Sequence, residues 1–317
     1  MKTALIVTVK NEAKDITTFL TSILYQTLPP DLVVIVDGGS TDDTLVKLWK
    51  FVRTNPHQVV VLIDDGSNRS EGRNTAIKHA MLRGAQVIAC TNVCQLSKKW
   101  FERVTEPIRN EDADVVKGVY ILHTEESTER AMALVTQFTE EDVLSGKAPG
   151  SAVSMALSAE ACRMLWTGNG PFREDLEVSE DTELFDRIER SPLMVTTAPK
   201  AIVTWKPGTL SVESAYRTFR EYAIYDAKAR VRTWQYLATY LGYAFVFLTT
   251  LGTEAMFLLA AVAYLVYLVY RLRRILPRGL VSLIIVPFGL GDILYCIYAV
   301  VVVDVARMVG YARGVFR

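Results

Sequence analysis

The chain has 317 residues, enough for one large domain or two of ordinary size. Lys plus Arg and Asp plus Glu both number 35, so the formal net charge is zero and nothing in the balance points to nucleic acid. Half of the residues are apolar, and the excess lies after residue 233.

Residues 4–9 (ALIVTV) read as a strand, 14–25 as a helix with Ile16, Phe19, Leu20 and Ile23 on one face, and 32–36 as a second strand. A helix over 43–53, a strand at 59–63, a helix over 70–83 and a strand at 85–90 follow. Strands apolar throughout, alternating with amphipathic helices, imply a mostly parallel sheet covered on both faces. The first two-thirds is therefore expected to be an α/β domain. The opening MKTALIVTVKNE has an apolar stretch of only about five residues, too short for a signal peptide, so this domain is expected in the cytosol.

The last third differs. Residues 233–253 and 255–270 carry no charge and are separated by Gly252, Thr253 and Glu254. A third apolar region, 279–303, is interrupted by Pro287, Gly289, Gly291 and Asp292. A spanning helix needs about 20 apolar residues. The first run qualifies, the second can recruit Thr253 and snorkelling arginines, and the third reads as a kinked span or a re-entrant hairpin. A buried helical core is the other reading, but the rest of the chain is too small to cover three such runs. Lys228, Arg230 and Arg232 precede the first run, and Arg271, Arg273, Arg274 and Arg278 follow the second. Both flanks then face the cytoplasm. A single third span would put the basic tail (Arg307, Arg313, Arg317) outside, whereas a re-entrant segment would keep it inside.

Ligands of open parallel sheets bind at the carboxyl ends of the strands. Polar clusters lie at four such ends: Thr8 to Glu12, Asp37 to Asp42, Gly72–Arg73–Asn74 with Ser70 as N-cap, and Thr91 to Cys94. Each has a plain alternative. Ser40 and Asp43 can cap a helix, Gly38 and Gly39 can make a tight turn, and Arg73 can pair with a surface acid. Capping leaves Asp37 unexplained, because an acid ending a buried strand needs a donor, and ligand hydroxyls or a base N–H would supply one. Cys90, Cys94, Cys162 and Cys296 form no CxxC pair, and His57, His79 and His123 have no metal-ligand spacing.

Taken in order, KNEA, VDGGSTDDT, SEGRNTAIKHA, IACTNVCQLSKKWFERV, GNGPFREDLEVSEDTELFDRI and AIVTWKPGTLSVESAYRTFREYAIYDAKA resemble an inverting GT-A glycosyltransferase of family 2. The resemblance covers residues 4–232 and extends to the membrane-bound members. It implies a GT-A domain (1–210, a Rossmann-like mixed sheet), an amphipathic interfacial helix (211–232) and a helical membrane region (233–317) in a multi-pass membrane protein whose catalytic domain is cytoplasmic. The implied activity moves a sugar from a nucleotide-sugar donor to a lipid-linked acceptor, either a polyprenyl phosphate or a lipid-linked glycan. The alternative is a non-catalytic nucleotide-sugar-binding or scaffold protein.

Carried over by position, Thr8, Glu12 and Asp37 belong to the donor site, and Arg73 approaches the diphosphate near a helix N-terminus. Asp181, with Glu180 beside it, is the implied general base; both are also acids favoured in a first helical turn. Two departures stand out. Asn92 takes the place of the first acid of the metal-binding DxD, the second acid is missing, and Mg2+ or Mn2+ strongly prefers carboxylates. The expectation is therefore a weak or absent divalent cation, with Arg73 and lysines such as Lys98 meeting the diphosphate. Thr218 and Glu221 replace a Gln and an Arg of related members, leaving Arg217 and Arg220 to meet an acceptor phosphate.

Overall fold

A computed structural model describes residues 1–55, 58–122, 129, 133, 150–206, 211–250, 254–272 and 290–316. His57, His123, most of 123–149, Gly252, Thr253, Arg273, Arg274, Arg278, Pro287, Gly289 and Arg317, all named above, lie outside the described residues. The chain divides into two units, Met1–His123 with Glu140–Lys206, and Thr124–Thr139 with Pro207–Arg317.

The first unit is built on one sheet. Strands β1 (Thr3–Val9), β2 (Leu32–Asp37), β3 (Val59–Ile63) and β4 (Val87–Thr91) are all parallel, in the order β3-β2-β1-β4. Between them run α1 (Ile16–Leu24), α2 (Thr44–Thr54) and α3 (Arg69–Leu82). The second half is mixed: β5 (Gln95–Leu96), β6 (Val115–Leu122), β7 (Ser154–Ser158) and β8 (Val195–Trp205) extend the order as β4-β7-β6-β8-β5. β7 is antiparallel to both β4 and β6, while β6 and β8 are parallel. Helices α4 (Trp100–Arg109), α5 (Ala159–Met164) and α6 (Glu180–Glu189) complete the unit.

Alternation along β1 sorts the two faces. Leu5, Val7 and Val9 point into a core shared with Ile16, Phe19, Leu48, Trp100 and Phe101, whereas Ala4 and Ile6 face Ala76, Ile77, Leu184 and Phe185. Right-handed crossovers require this division, because the chain steps from β1 to β2 to β3 in one direction and returns over the sheet to β4. The reversal leaves a switch point between β1 and β4. Their carboxyl ends, Thr8 to Glu12 and Asn92, flank the crevice where an open α/β sheet binds ligands.

The second unit is helical: α7 (Val212–Ala229), α8 (Thr233–Thr250), α9 (Glu254–Leu272) and α10 (Leu290–Val315). A Ser211–Ser214 capping box starts α7, and Arg230 in left-handed conformation (φ 59°) ends it. Helices α7 and α10 pack closely through small residues. A Cβ on Gly310 would lie 2.2 Å from the Arg220 carbonyl oxygen, and one on Gly314 would lie 2.5 Å from that of Ile224, with Ala223 and Ala227 opposite. Asp304 is buried on α10, just past the apolar run, and accepts from the hydroxyls of Tyr243 (3.3 Å) and Tyr267. An apolar cavity of about 140 Å³, lined by Gly242, Tyr243, Ala263, Tyr264 and Tyr267 among others, lies between α8 and α9.

Among the described residues one helical stretch, Leu294–Val315, is long and apolar enough to cross a membrane, with a mean hydropathy of 1.6. It lies further along the chain than the third region read from the sequence, because the helix continues through Asp304 and Arg307 to Val315. α8 and α9 cover most of the first two apolar runs and expose large side chains, including Trp234 (83% exposed), Leu241, Leu248, Leu258 and Val266.

Candidate active site

The first wall of the site is the pair of loops after β1 and β2, which bind each other. The Asn11 amide donates to Ser40 Oγ (2.9 Å), and Asn11 Oδ1 accepts from the Thr41 amide (2.8 Å). The Glu12 amide donates to Thr44 Oγ1 (2.8 Å) and the Ala13 amide to Asp42 Oδ2 (3.1 Å). Asn11 itself sits at φ 56°, a conformation that Asn tolerates better than most residues. Gly39 is at φ +87°, and a Cβ there would lie 2.1 Å from Asp65 Oδ1, so glycine is needed both for the turn and for the approach of the β3 loop.

Asp37 corrects an expectation. Its carboxylate is fully buried and already holds three donors: the amides of Gly39 (3.0 Å) and Ser40 (2.8 Å) and the Ser40 hydroxyl (2.6 Å). Its own loop thus supplies the donors that the sequence reading sought from a ligand, and these bonds shape the glycine loop. Thr8 is half-buried, with its methyl group 2.8 Å from where a Cβ on Gly72 would stand; glycine lets α3 begin directly over β1.

Glu12 remains half-buried at the mouth of these loops. Burial, with the Asp15 and Asp42 carboxylates nearby, pushes its carboxyl up to about 7, against the opposing pull of Arg69. The Asp42 carboxyl is held below its ordinary range, chiefly by the Thr44 hydroxyl.

The second wall is the start of α3. Asn68, not Ser70, is its N-cap: the Asn68 side chain accepts from the amides of Ser70 (2.9 Å) and Glu71 (3.0 Å), while Glu71 returns a bond to the Asn68 amide (2.7 Å). Ser70 instead donates to the Leu176 carbonyl (2.8 Å). The Ser70 and Glu71 amides at this helix start are thus taken by the cap.

Arg73 lies one turn on and points inward, 2% exposed. One guanidinium nitrogen donates to Glu180, another donates to Asn92 Oδ1 (3.0 Å), and the group stacks over Phe172 (5.2 Å to the ring centre). Burial works against its charge, but the Cys90 sulfur and the Glu180 and Asp181 carboxylates more than compensate, so its pKa stays above the ordinary value. Two of its nitrogens are thus engaged by Glu180 and Asn92. The exposed guanidinium is that of Arg69, four residues earlier, with a side chain 44% exposed and 3.8 Å from Glu180 Oε1.

The third wall is the start of α6. Ser179 at φ 61° turns the chain so that Glu180 enters the interior and Asp181 stays half-buried at the edge. Asp181 Oδ2 accepts from Ser151 Oγ (2.8 Å) and the Ala152 amide (3.3 Å). Its Oδ1 accepts from the Thr182 amide (2.8 Å). Asn92, Arg73, Glu180 and Asp181 therefore form one connected set joining the end of β4 to α6. Arg217 and Arg220 lie on α7 in the helical unit; Arg217 is exposed and paired with Glu213, and Arg220 is half-buried. Sequence reasoning missed Arg69 and Ser151. The four-residue spacing of Arg69 and Arg73 on one helix face was a usable signal. Ser151 stands 30 residues from Asp181 and carried none.

The resemblance implies a divalent cation at the end of β4, and the side chains there do not suit one. The single oxygen of Asn92 accepts from a guanidinium, a positive charge where a cation would have to sit. Cys94 shares a hydrogen bond with Thr91 Oγ1 (3.1 Å), and burial pushes its thiol up to about 12, as it pushes that of Cys90 up to about 11. Among the described residues no three His, Cys, Asp or Glu side chains gather into a metal-holding group.

The sequence model of Glycosyl transferase family 2 matches residues 4–163. No curated protein matches the sequence. Among solved structures, the mannosyltransferase PcManGT from Pyrobaculum calidifontis, in complex with GDP-Man and Mn2+, is 16% identical, with 96% of this chain and 86% of that chain covered and a TM-score of 0.61. GalNAc-T7 with UDP, GalNAc and Mn2+ is 13% identical, with coverage of 71% and 47% and a TM-score of 0.51. TarS 1–349 of S. aureus in complex with UDP is 19% identical with a TM-score of 0.49, and the match takes in 71% of this chain and 65% of that one. The likeness to the first two is one of fold, which is the GT-A fold, and by its sequence the chain belongs to glycosyl transferase family 2.

Proposed function

We propose that the protein is a membrane-associated, inverting glycosyltransferase that moves a sugar from a nucleotide-sugar donor to a lipid-linked acceptor at the cytoplasmic face. The observation that carries this reading is the placement of Asp181: a half-buried carboxylate fixed by Ser151, beside a buried Arg73–Glu180 pair, beyond the carboxyl ends of β1 and β4. Asp181 takes the proton of an acceptor hydroxyl as that oxygen bonds to the anomeric carbon. The bond from that carbon to the diphosphate breaks on the opposite face, and the nucleotide leaves with the electron pair. A glycan hydroxyl needs this proton removed. A polyprenyl phosphate oxygen, ionised near neutral pH, does not. Glu12, Thr8 and the loop shaped by Asp37 take the nucleoside. Arg217 and Arg220 of α7 meet the acceptor's phosphate.

Membrane attachment is supported by the apolar length of Leu294–Val315, the one such helix among the described residues, and by the apolar side chains that α8 and α9 expose; the reading of more than one pass rests on the apolar runs of the sequence. The degenerate Asn92–Val93–Cys94 stretch favours a second reading, a nucleotide-sugar-binding scaffold without turnover. The full chain in lipid vesicles, given a panel of nucleotide sugars with a polyprenyl phosphate or a lipid-linked glycan, separates the two. Acceptor-dependent nucleotide release supports the transferase. Donor binding with no release from any pair supports the scaffold.

A further inference from the structure

In the reading above, the leaving diphosphate must meet positive charge, and the donor set at the end of β4 is wrong for a divalent cation. We infer that this chain performs transfer without a divalent metal, with Arg69 as the cation that meets the diphosphate and Arg73 as a fixed charge behind it. The inference rests on the glycosyltransferase reading and adds the source of the charge.

Three observations carry it. First, the carbonyl oxygen of Asn92 is the only hard oxygen ligand left from the expected acid pair, and it accepts from Arg73 at 3.0 Å. Asn–guanidinium bonding is favourable, whereas a dication there would have to displace or lie against a buried like charge. Second, Cys94 stays a thiol, because burial holds its pKa near about 12. Third, Arg69 is the cation left free to reach solvent on the same face of α3. Its guanidinium lies 3.8 Å from Glu180 Oε1 at the start of α6, and its charge opposes the rise of the Glu12 carboxyl on the loop after β1. Guanidinium nitrogens in a planar fork pair two phosphate oxygens at once, a task that does not require metal geometry. Arg73 and Glu180 keep each other buried, so the pair holds Asn92 and the α6 start in place while Arg69 moves onto the ligand.

The test is calorimetric binding of UDP, GDP, dTDP, CDP and ADP to the full chain, each in EDTA and in Mn2+. The expected result is at least one nucleotide that binds with affinities within about twofold in the two conditions, an affinity lowered about tenfold or more in Arg69→Ala, and an intermediate affinity in Arg69→Lys, which keeps the charge and loses the fork. Arg69 is exposed, so neither variant threatens the fold. Binding that falls by about tenfold or more in EDTA overturns the inference and leaves the glycosyltransferase reading standing. Metal-independent binding untouched by Arg69→Ala overturns the role of Arg69. Failure of every nucleotide in both conditions overturns the inference together with the reading beneath it.

Discussion

Arg73 and Glu180 pair in the interior of the first unit, with side chains 2% and 3% exposed, and the bond ties α3 to the first residue of α6. Removing one partner strands the other charge in a place water does not reach. Arg73→Ala or Glu180→Ala is expected to cost about 3–5 kcal/mol, whereas the double change Arg73→Met with Glu180→Leu costs far less, because no charge remains buried. Denaturant unfolding of the four proteins checks this. Single variants as stable as wild type would contradict it.

Ser151 is expected to act through Asp181. Its hydroxyl holds Oδ2 at 2.8 Å, and Ser151→Ala leaves the carboxylate with two amide donors and freedom to rotate. Turnover should fall by roughly five- to tenfold, the worth of one hydrogen bond of about 1 kcal/mol to slightly more, with donor affinity unchanged. A loss confined to donor affinity would place Ser151 elsewhere in the reaction.

Glu12 gives a pH signature. Its carboxyl is raised to about 7 in the folded protein, so between pH 4.5 and 7 the folded state holds a proton that the unfolded chain has released. The contribution to stability is present below the unfolded value and is lost as pH rises through 7. Glu12→Gln has no such loss, so its melting temperature relative to wild type should rise from pH 5 to pH 8. A difference that stays flat over this range, or falls, contradicts the assignment.

Gly310 and Gly314 set the spacing of α7 and α10. Alanine at either position drives a methyl group into a backbone carbonyl of α7 and should destabilise the helical unit by about 1–3 kcal/mol. Gly242 on α8 is the control. Nothing lies within 4 Å of an added Cβ there, so Gly242→Ala should be neutral or slightly stabilising by helix propensity. Thermal unfolding in matched detergent distinguishes the two cases.

The parallel half of the sheet was legible because buried parallel strands advertise themselves as unbroken apolar runs: ALIVTV and LVVIV landed within a residue or two of β1 and β2. The mixed half was not, since β7 runs antiparallel between β4 and β6 through pairing between residues far apart in the chain, such as Ala156 with Val116. Site residues were legible as positions and not as orientations. Sequence showed that Asp37 needed donors but could not show that the amides of its own loop supply them. It put Arg73 near the strand ends but not its inward turn, which depends on Glu180, 107 residues on. Asp304 escaped notice because it sits one residue past the apolar run, where only the tyrosines of α8 and α9 reveal that it is buried.

The most direct test of Asp181 as the proton acceptor compares wild type with Asp181→Asn at saturating donor and a lipid-linked glycan, with donor affinity measured alongside. The amide keeps the shape and one acceptor oxygen for Ser151 and the Ala152 amide, gives up acceptance from the Thr182 amide, and cannot take a proton. Turnover reduced by about 10²–10⁴-fold with donor affinity intact is the result the account predicts. Turnover within a few-fold of wild type would contradict it.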